Sequence, residues 1–317
     1  MATGVLSLIE ATKSGSDQHK RGITETIIQE NPWIELLPWQ TFAGNALKQT
    51  VEDTLPSVSF RPVNGSYTKS YGTDTSRYWG VSILGGEYGV DPFLVDVIGT
   101  DEDLEAKQIR KLSKANAMRF GYEAVNGTGA NDGFKGVKQL IGEGLGQSLA
   151  NSATGATLSL DKLDQAFDLS PSSMTNVDAI LANKTVRRQI TSAARSTFSG
   201  ISLIDIGTDV FGRKVTMYND TPIRILGDVI DGSNNIVASL PFTEDPGDAT
   251  SDCCSIYLVK FGEDDVTGLL GKGGSFSVKR FDDHPDQPQR WGRLEWYPGL
   301  AIFNPYAITR VTGITAS

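Results

Sequence analysis

The chain has 317 residues, with 29 Lys and Arg against 38 Asp and Glu, and its formal net charge is −9. Its hydrophobic fraction of 39% and charged fraction of 21% are those of an ordinary globular protein, which excludes wholesale disorder. The acidic balance disfavours tight nucleic-acid binding, because such affinity comes largely from cations that neutralise phosphates and release their counterions.

Cysteine usage and the N-terminus indicate where the chain folds. Cys253 and Cys254 are its only cysteines, and adjacent residues rarely meet disulfide geometry. The start, MATGVLSLIEATKSG, has too short an apolar stretch before Glu10 for a signal peptide, and no run long enough to span a membrane follows. The chain is therefore expected to fold in a cytoplasm without disulfide bonds.

The N-terminal residues indicate an arm that ends in an aromatic anchor. Residues 1–22 are small, polar and punctuated by Gly and Ser. A short helical pattern follows and ends at Asn31-Pro32. Trp33 and Trp39 come next and are predicted to anchor the arm.

Residues 57–83, SVSFRPVNGSYTKSYGTDTSRYWGVSI, alternate like strands on both sides of a polar middle. Val58 and Phe60 share one face, which is the two-residue period of a half-buried strand. The middle contains Asn64-Gly65 and other turn residues. The pattern predicts a long hairpin paired from about Leu55 to Val90.

The length of this hairpin predicts that it needs a partner. Each limb of roughly 17 residues would span about 55 Å. The rest of the chain, if compact, has a radius of gyration of only about 19 Å. Because a two-stranded ribbon is marginal in water, its aromatic residues should be covered by the chain's own body or by a neighbouring copy.

A long helix is predicted over about residues 100–126. Thr100 is a natural N-cap, acidic residues fill the first turn, and basic residues follow, which matches the helix dipole. Asn126-Gly127 is predicted to end the helix. Its predicted buried face consists of Ile109, Leu112, Ala115, Met118 and Tyr122.

From about residue 128 the pattern changes to short alternating elements. Helices are predicted at 160–168 and at about 184–198, the second capped by Asn183. Strands are predicted at 177–181, 215–218, 223–226, 256–261 and 276–281. Arg187, Arg188 and Arg195 on the second helix indicate a solvated or intersubunit face, since no aromatic residues are interleaved for base stacking.

Four features in this order resemble the major capsid proteins of tailed bacteriophages, which have the HK97-like shell fold. The first is the hairpin followed directly by the long helix, and the second is the helix exit YEAVNGTGANDGFKGV. The third is the phrase SIYLVKFGEDDVTGLLG, and the fourth, the most specific, is RLEWYPGLAIFNPYAITRVTGI.

The resemblance implies an α+β fold of HK97-like type with four parts. Residues 1–44 would be the N-terminal arm, and residues 45–92 the extended β-hairpin loop that reaches over an adjacent subunit. Residues 93–127 and 297–317 would form the peripheral domain with the long spine helix. Residues 128–296 would form the axial domain around the five-fold and local six-fold axes.

The resemblance also implies the function and partners. The chain would be a structural protein without enzymatic activity or cofactor, assembled in a bacterial cytoplasm into the virion capsid as hexamers and pentamers. It would enclose double-stranded DNA without binding it specifically, and contact no membrane. A separate scaffolding protein, a portal and, in some members, a decoration protein would be its partners. The predicted intersubunit contacts of arm and loop are Trp33, Trp39, Phe60, Tyr67, Lys69, Tyr71, Arg77 and Trp79.

Other interpretations stay open. An encapsulin-type nanocompartment has the same fold but encloses protein cargo. A soluble enzyme or metal-binding protein could use Asp282, His284 and Asp286, although such alternation is more typical of a solvated loop. Some family members join subunits by a Lys–Asn isopeptide bond, for which Lys69 and Asn304 are the candidates, but Lys69 is interpreted as a solvated arm residue.

Overall fold

The computed structural model describes residues 32–44, 46–98, 104–169, 177–197, 204–208, 214–247, 252–272, 277–281 and 289–316. The helices among them are α1 (Pro32–Leu36), α2 (Pro92–Ile98), α3 (Leu104–Asn126), α4 (Val137–Gly142), α5 (Leu160–Asp168) and α6 (Lys184–Thr197). The N-terminal segment 1–31 and the predicted cap Thr100 lie outside the described residues.

The described strands fall into five sheets. The strands up to the long helix are β1 (Trp39–Phe42), β2 (Ala46–Thr54), β3 (Thr73–Gly80) and β4 (Leu84–Val90). Those in the middle of the chain are β5 (Gln147–Ala150), β6 (Ala179–Ala182), β7 (Ile204–Thr208), β8 (Lys214–Tyr218), β9 (Thr221–Ile225), β10 (Asp228–Ile230) and β11 (Ile236–Ala238). The last are β12 (Cys253–Val259), β13 (Val266–Gly271), β14 (Ser277–Phe281), β15 (Arg290–Trp296), β16 (Pro298–Ile302) and β17 (Ile308–Thr315).

A seven-stranded sheet, in the order β5-β17-β12-β6-β9-β8-β7, organises the C-terminal two thirds of the described chain. Its central strands are buried on both faces, and alternate side chains enter different cores because the strand period is two. Ile180 and Leu258 pack with α5 and α6 on one face. Leu181 and Tyr257 enter the main core on the other face, together with Phe120 of α3.

The long helix α3 also supports a separate three-stranded sheet, ordered β14-β15-β4. Tyr88 and Val90 of β4 pack with Leu104 at the start of α3, and Ile109 and Leu112 cover them. Toward its C-terminal half the helix sinks into the main core, since Met118, Phe120, Ala124 and Val125 are buried. Helix α3 thus connects the three-stranded sheet to the main core.

The sequence predictions of the individual elements are largely confirmed. The long helix ends at Asn126 as predicted. Its buried face is only partly as predicted: Met118 is buried, whereas Ile109, Leu112, Ala115 and Tyr122 are half-buried. The helix predicted at 160–168 is α5, and the one predicted at 184–198 is α6. The α+β class is confirmed as well.

Strand pairing crosses the predicted boundary between the peripheral and axial parts, and the division into domains stays a prediction. Strand β17 belongs to the stretch assigned to the peripheral domain, but it lies between β12 and β5 inside the seven-stranded sheet. Strands β14 and β15 were predicted in the axial domain, yet β15 pairs with β4 beside α3. The reason is that sheet membership follows backbone pairing across the fold, which order along the chain does not reveal.

The cap of α6 allows a direct test of local stability. The side-chain oxygen of Asn183 accepts a hydrogen bond from the backbone N–H of Val186 at 2.8 Å. Replacing Asn183 with Ala is expected to lower the free energy of unfolding by about 1 kcal/mol, because one N-terminal donor loses its partner. Urea denaturation measures the change. Asn183→Asp can still cap but loses the amide hydrogen bond to the backbone oxygen of Leu240, so it should recover only part of the loss.

Candidate assembly surface

The hairpin arm is a ribbon of β2 and β3 that carries a long loop at its end. The ladder runs from Ala46 opposite Gly80 to Thr54 opposite Thr73. Residues 55–72 form the connecting loop and contain no strand. The predicted pairing from about Leu55 to Val90 is therefore wrong in register, because β4 pairs with β15 instead of continuing the hairpin.

Local hydrogen bonds hold the base of this loop. The Thr54 and Thr73 hydroxyl oxygens lie 2.7 Å apart, and the backbone N–H of Ser57 donates to Oγ of Ser70 at 2.7 Å. At the tip, the Arg61 guanidinium lies 5.3 Å from the ring centre of Tyr67 and donates to the backbone oxygen of Gly65. These contacts are made within the loop itself, so they leave its apolar side chains uncovered.

Large apolar side chains are exposed along the whole arm. Phe60 is exposed as fully as it would be in an extended chain, and Val58 is 95% exposed. The others in this set are Leu55, Val63, Tyr67, Tyr71, Tyr78 and Ile83. Complete burial of one such aliphatic or aromatic side chain contributes about 1.5–3 kcal/mol. So many large apolar side chains exposed in one segment indicate an interaction site.

The base of the arm is fastened to the chain's own body. Trp79 is 6% exposed and packs edge-on against Phe303 with ring centres 6.0 Å apart. Its indole N–H donates to Gln49 Oε1 at 2.9 Å, and the Gln49 amide donates to the backbone oxygen of Phe303 at 2.9 Å. The arm therefore projects from a fixed root.

A glycine in β16 permits this close contact. A Cβ atom at Gly299 would lie 2.5 Å from the backbone oxygen of Gly80, at the end of β3. Just beyond, the N–H of Ser82 donates to the backbone oxygen of Pro298 at 2.9 Å. Any larger residue at Gly299 would push the root of the arm away from the body.

The structure separates the predicted contact residues into two groups. Phe60, Tyr67, Lys69 and Tyr71 are exposed on the loop, and Arg77 is half-buried on β3. Their contact with another copy stays a prediction.

The three tryptophans belong to the chain's own core instead. Trp33 is fully buried and packs against Phe261, and Trp39 packs against Phe120 and Trp296. Trp79 is buried as well, whereas Trp39 keeps part of its surface exposed, and contact of these three residues with another copy stays a prediction. Conversely, the prediction omitted four exposed apolar residues that lie within or beside residues 57–83, namely Leu55, Val63, Tyr78 and Ile83.

A groove of about 510 Å³ lies where β3 leaves the body. Trp79, Phe134 and Leu140 supply its apolar wall, and Arg77 and Lys135 line its polar side. The Lys135 ammonium pairs with Glu143 at 2.7 Å. This ion pair and the hydrogen bond from Gln139 hold the pKa of Glu143 below its ordinary value.

Little in the described residues suggests a reactive centre. Burial, reinforced by Glu244 and Cys253, raises the pKa of Cys254 to about 12, so its thiol stays protonated at neutral pH. The described part of the chain contains no cluster of His, Cys, Asp and Glu that could hold a metal ion. Asp282, His284 and Asp286 lie outside it. None of the described helices has the length and apolar character needed to cross a membrane.

Comparison with known proteins identifies the fold. No protein-family model matches the sequence, and no curated protein sequence matches it. Among solved structures, the chain is similar to the SrpI encapsulin of Synechococcus elongatus, with a TM-score of 0.66 and 15% identity over 92% of this chain and 89% of that one.

Viral and virus-like shells are similar to nearly the same degree. A structure from Microbacterium phage Oxtober96 has a TM-score of 0.62 and 12% identity over 96% of this chain and 98% of that one. The capsid of a native GTA particle has a TM-score of 0.60 and 12% identity over 90% and 91% of the two chains. The chain therefore has the HK97-like shell fold that its sequence resemblance implied.

Proposed function

We propose that this chain is the major capsid protein of a tailed bacteriophage and assembles into an icosahedral shell around packaged double-stranded DNA. The observation that carries the proposal is the arm, which exposes a row of large apolar side chains from a root fixed by Trp79 and Gln49. The HK97-like fold also supports the proposal, because similar chains form shells.

The proposed mechanism is collective. An apolar arm that reaches a second copy gives a heterologous contact, since it joins two different patches, and such contacts close into rings. Each contact can be weak, because repetition over the shell multiplies its effect. Hexamers and pentamers of this chain are the proposed building units, and a scaffolding protein, a portal and a decoration protein are the proposed partners. No catalytic step is part of this function.

The net charge of −9 supports the proposal that the inner surface of the shell does not bind DNA tightly. Like charges on a shell and on phosphate repel each other, so DNA could be packed and released without adhering to the wall.

A nanocompartment shell is the second candidate, and the similarity to the SrpI encapsulin favours it. That protein is described as a holo complex, and by analogy this chain would enclose a protein cargo. The two candidates share self-assembly and differ in what the shell contains.

What the particles contain decides between the capsid and the nanocompartment. Particles isolated from their natural source are treated with nuclease, extracted and analysed for both DNA and protein. The capsid proposal predicts nuclease-protected double-stranded DNA of a single length in intact particles. A second, stoichiometric protein without DNA would overturn it in favour of the nanocompartment, and a small oligomer with neither would overturn both.

A further inference from the structure

Helix α6 presents an exposed strip of positive charge on its outer side. Its sequence, KTVRRQITSAARST, contains four cations and no acidic residue. Val186 and Ile190 are fully buried against the seven-stranded sheet, whereas Arg188 and Arg195 are exposed on the outer side. Among the described residues neither arginine has an ion-pair partner.

Helix α5 presents the opposite charge on the same side of the sheet. Leu163 packs with Val186 and Ile190 in the core beneath both helices. Asp161 and Asp168 are exposed on the outer side. Asp161 accepts a hydrogen bond from Gln165 at 2.8 Å, and within the described chain Asp168 has no cationic partner.

The two strips match in length. Arg188 and Arg195 are seven residues apart on α6, and Asp161 and Asp168 are seven apart on α5. Seven residues correspond to about 10.5 Å along a helix. In an antiparallel arrangement, Arg188 would face Asp168 and Arg195 would face Asp161, and each helix end would lie beside an end of opposite partial charge.

Resting on the proposed shell function, we propose that α6 of one subunit packs antiparallel against α5 of an adjacent subunit, and that these two charge pairs set the register of the contact. The partner is a second copy of this chain and not DNA. Helix α6 has no aromatic residue on which a base could stack, and the chain as a whole repels phosphate.

Charge exchange tests the contact. The basic-helix reversal is Arg188→Glu with Arg195→Glu, the acidic-helix reversal is Asp161→Lys with Asp168→Lys, and the exchange variant carries all four changes. Each reversal is expected to raise the protein concentration needed for shell assembly by about tenfold or more, because repulsion is repeated around every ring. The exchange variant should assemble at nearly the wild-type concentration.

Pairwise variants test the register. Arg188→Glu combined with Asp168→Lys should assemble better than Arg188→Glu combined with Asp161→Lys, although both have the same net charge. All positions are exposed, so the thermal unfolding midpoint of unassembled subunits should stay near that of the wild type, and this measurement excludes a folding defect.

The outcomes separate this inference from the proposed function. If wild-type protein forms no shells, the proposed function fails. If the wild type forms shells and both reversals also assemble normally, the inference is overturned and the proposed function stands. Loss of encapsidated DNA in the basic-helix reversal, with assembly intact and no recovery in the exchange variant, would also overturn it and assign α6 to DNA.

Discussion

Replacing residues 55–72 with an Asn-Gly turn is expected to give a folded subunit that no longer forms closed shells. The replaced loop begins after Thr54 and ends before Thr73, which are paired in the ladder, so a two-residue turn can join the strands directly. The change removes Phe60, Val58 and the other apolar side chains of the loop, which are exposed in the isolated chain. Subunit stability should therefore change little while the main apolar contact surface is lost.

Two measurements check this expectation. The thermal unfolding midpoint of the shortened subunit should be no lower than that of the wild type, since the removed side chains are exposed and a shorter loop costs less entropy to close. Light scattering should show no megadalton species. Thr68→Ala is the matched control, since Thr68 is exposed on the same loop and is not a predicted contact residue, and it should assemble normally. Shells of ordinary size from the shortened chain would refute the assigned role of the arm.

Breaking a buried charge network in the seven-stranded sheet is expected to have the largest effect on subunit stability. The carboxylate of Glu244 accepts hydrogen bonds from Ser255 and, at 2.9 Å, from Arg310, and it pairs with Lys138 at 2.7 Å. The side chains of Glu244 and Arg310 are only 15% and 16% exposed. Glu244→Gln should therefore lower the free energy of unfolding by about 3 kcal/mol, because it leaves the Arg310 charge buried and uncompensated.

An exposed pair elsewhere in the chain is the matched control. Glu87 and Arg293 lie 2.7 Å apart, but their side chains are 54% and 41% exposed. Glu87→Gln should cost less than about 1 kcal/mol, since water screens such pairs. Urea denaturation of unassembled subunits compares the two variants. Equal losses would show that burial does not strengthen the Glu244 network.

The same network predicts a dependence of stability on pH. Burial alone would raise the pKa of Glu244, but Arg310, Lys138 and Ser255 together outweigh it and hold the pKa below its ordinary value of 4.5. The folded pKa is thus lower than the unfolded one, so the stabilisation is present above about pH 4.5 and is lost as the pH falls through the folded value. The acid side of the stability curve should be flatter for Glu244→Gln than for the wild type.

Local signals made part of this fold predictable. Asn183 was recognised as a cap because its side chain can satisfy a helix donor whatever the tertiary fold, and it does so in α6. The end of α3 at Asn126 followed from the Asn-Gly pair in the same way. Such signals depend on a few neighbouring residues, and the sequence displays all of them.

Long-range pairing was not predictable in this way. The register of the arm was misassigned because polar and apolar residues alternate strictly over residues 57–60, as in a strand. The true ladder begins at Ala46, and polar and apolar residues alternate less regularly along β2. Trp33 and Trp79 are aromatic residues beside polar segments, and nothing in their neighbourhood shows that Phe261 and Phe303 cover them from far along the chain. What buries a side chain is decided by packing between distant segments.

The same limit applied to the candidate site. Exposure of Phe60, Tyr67 and Tyr71 was anticipated, since the turn residues around them exclude a continuous apolar stripe. The fixed root of the arm was not anticipated, because it depends on Gly299 admitting the end of β3 at close range.

Light scattering coupled to size-exclusion chromatography, followed by negative-stain imaging of the early fractions, tests whether this chain assembles into shells. A shell of this chain has a mass of at least about 2 MDa, since the smallest icosahedral shell contains sixty copies of a 34.2 kDa subunit. The expected result is closed particles of that mass or more, formed by the chain alone or with a scaffolding protein. A monomer or small oligomer under both conditions would contradict it.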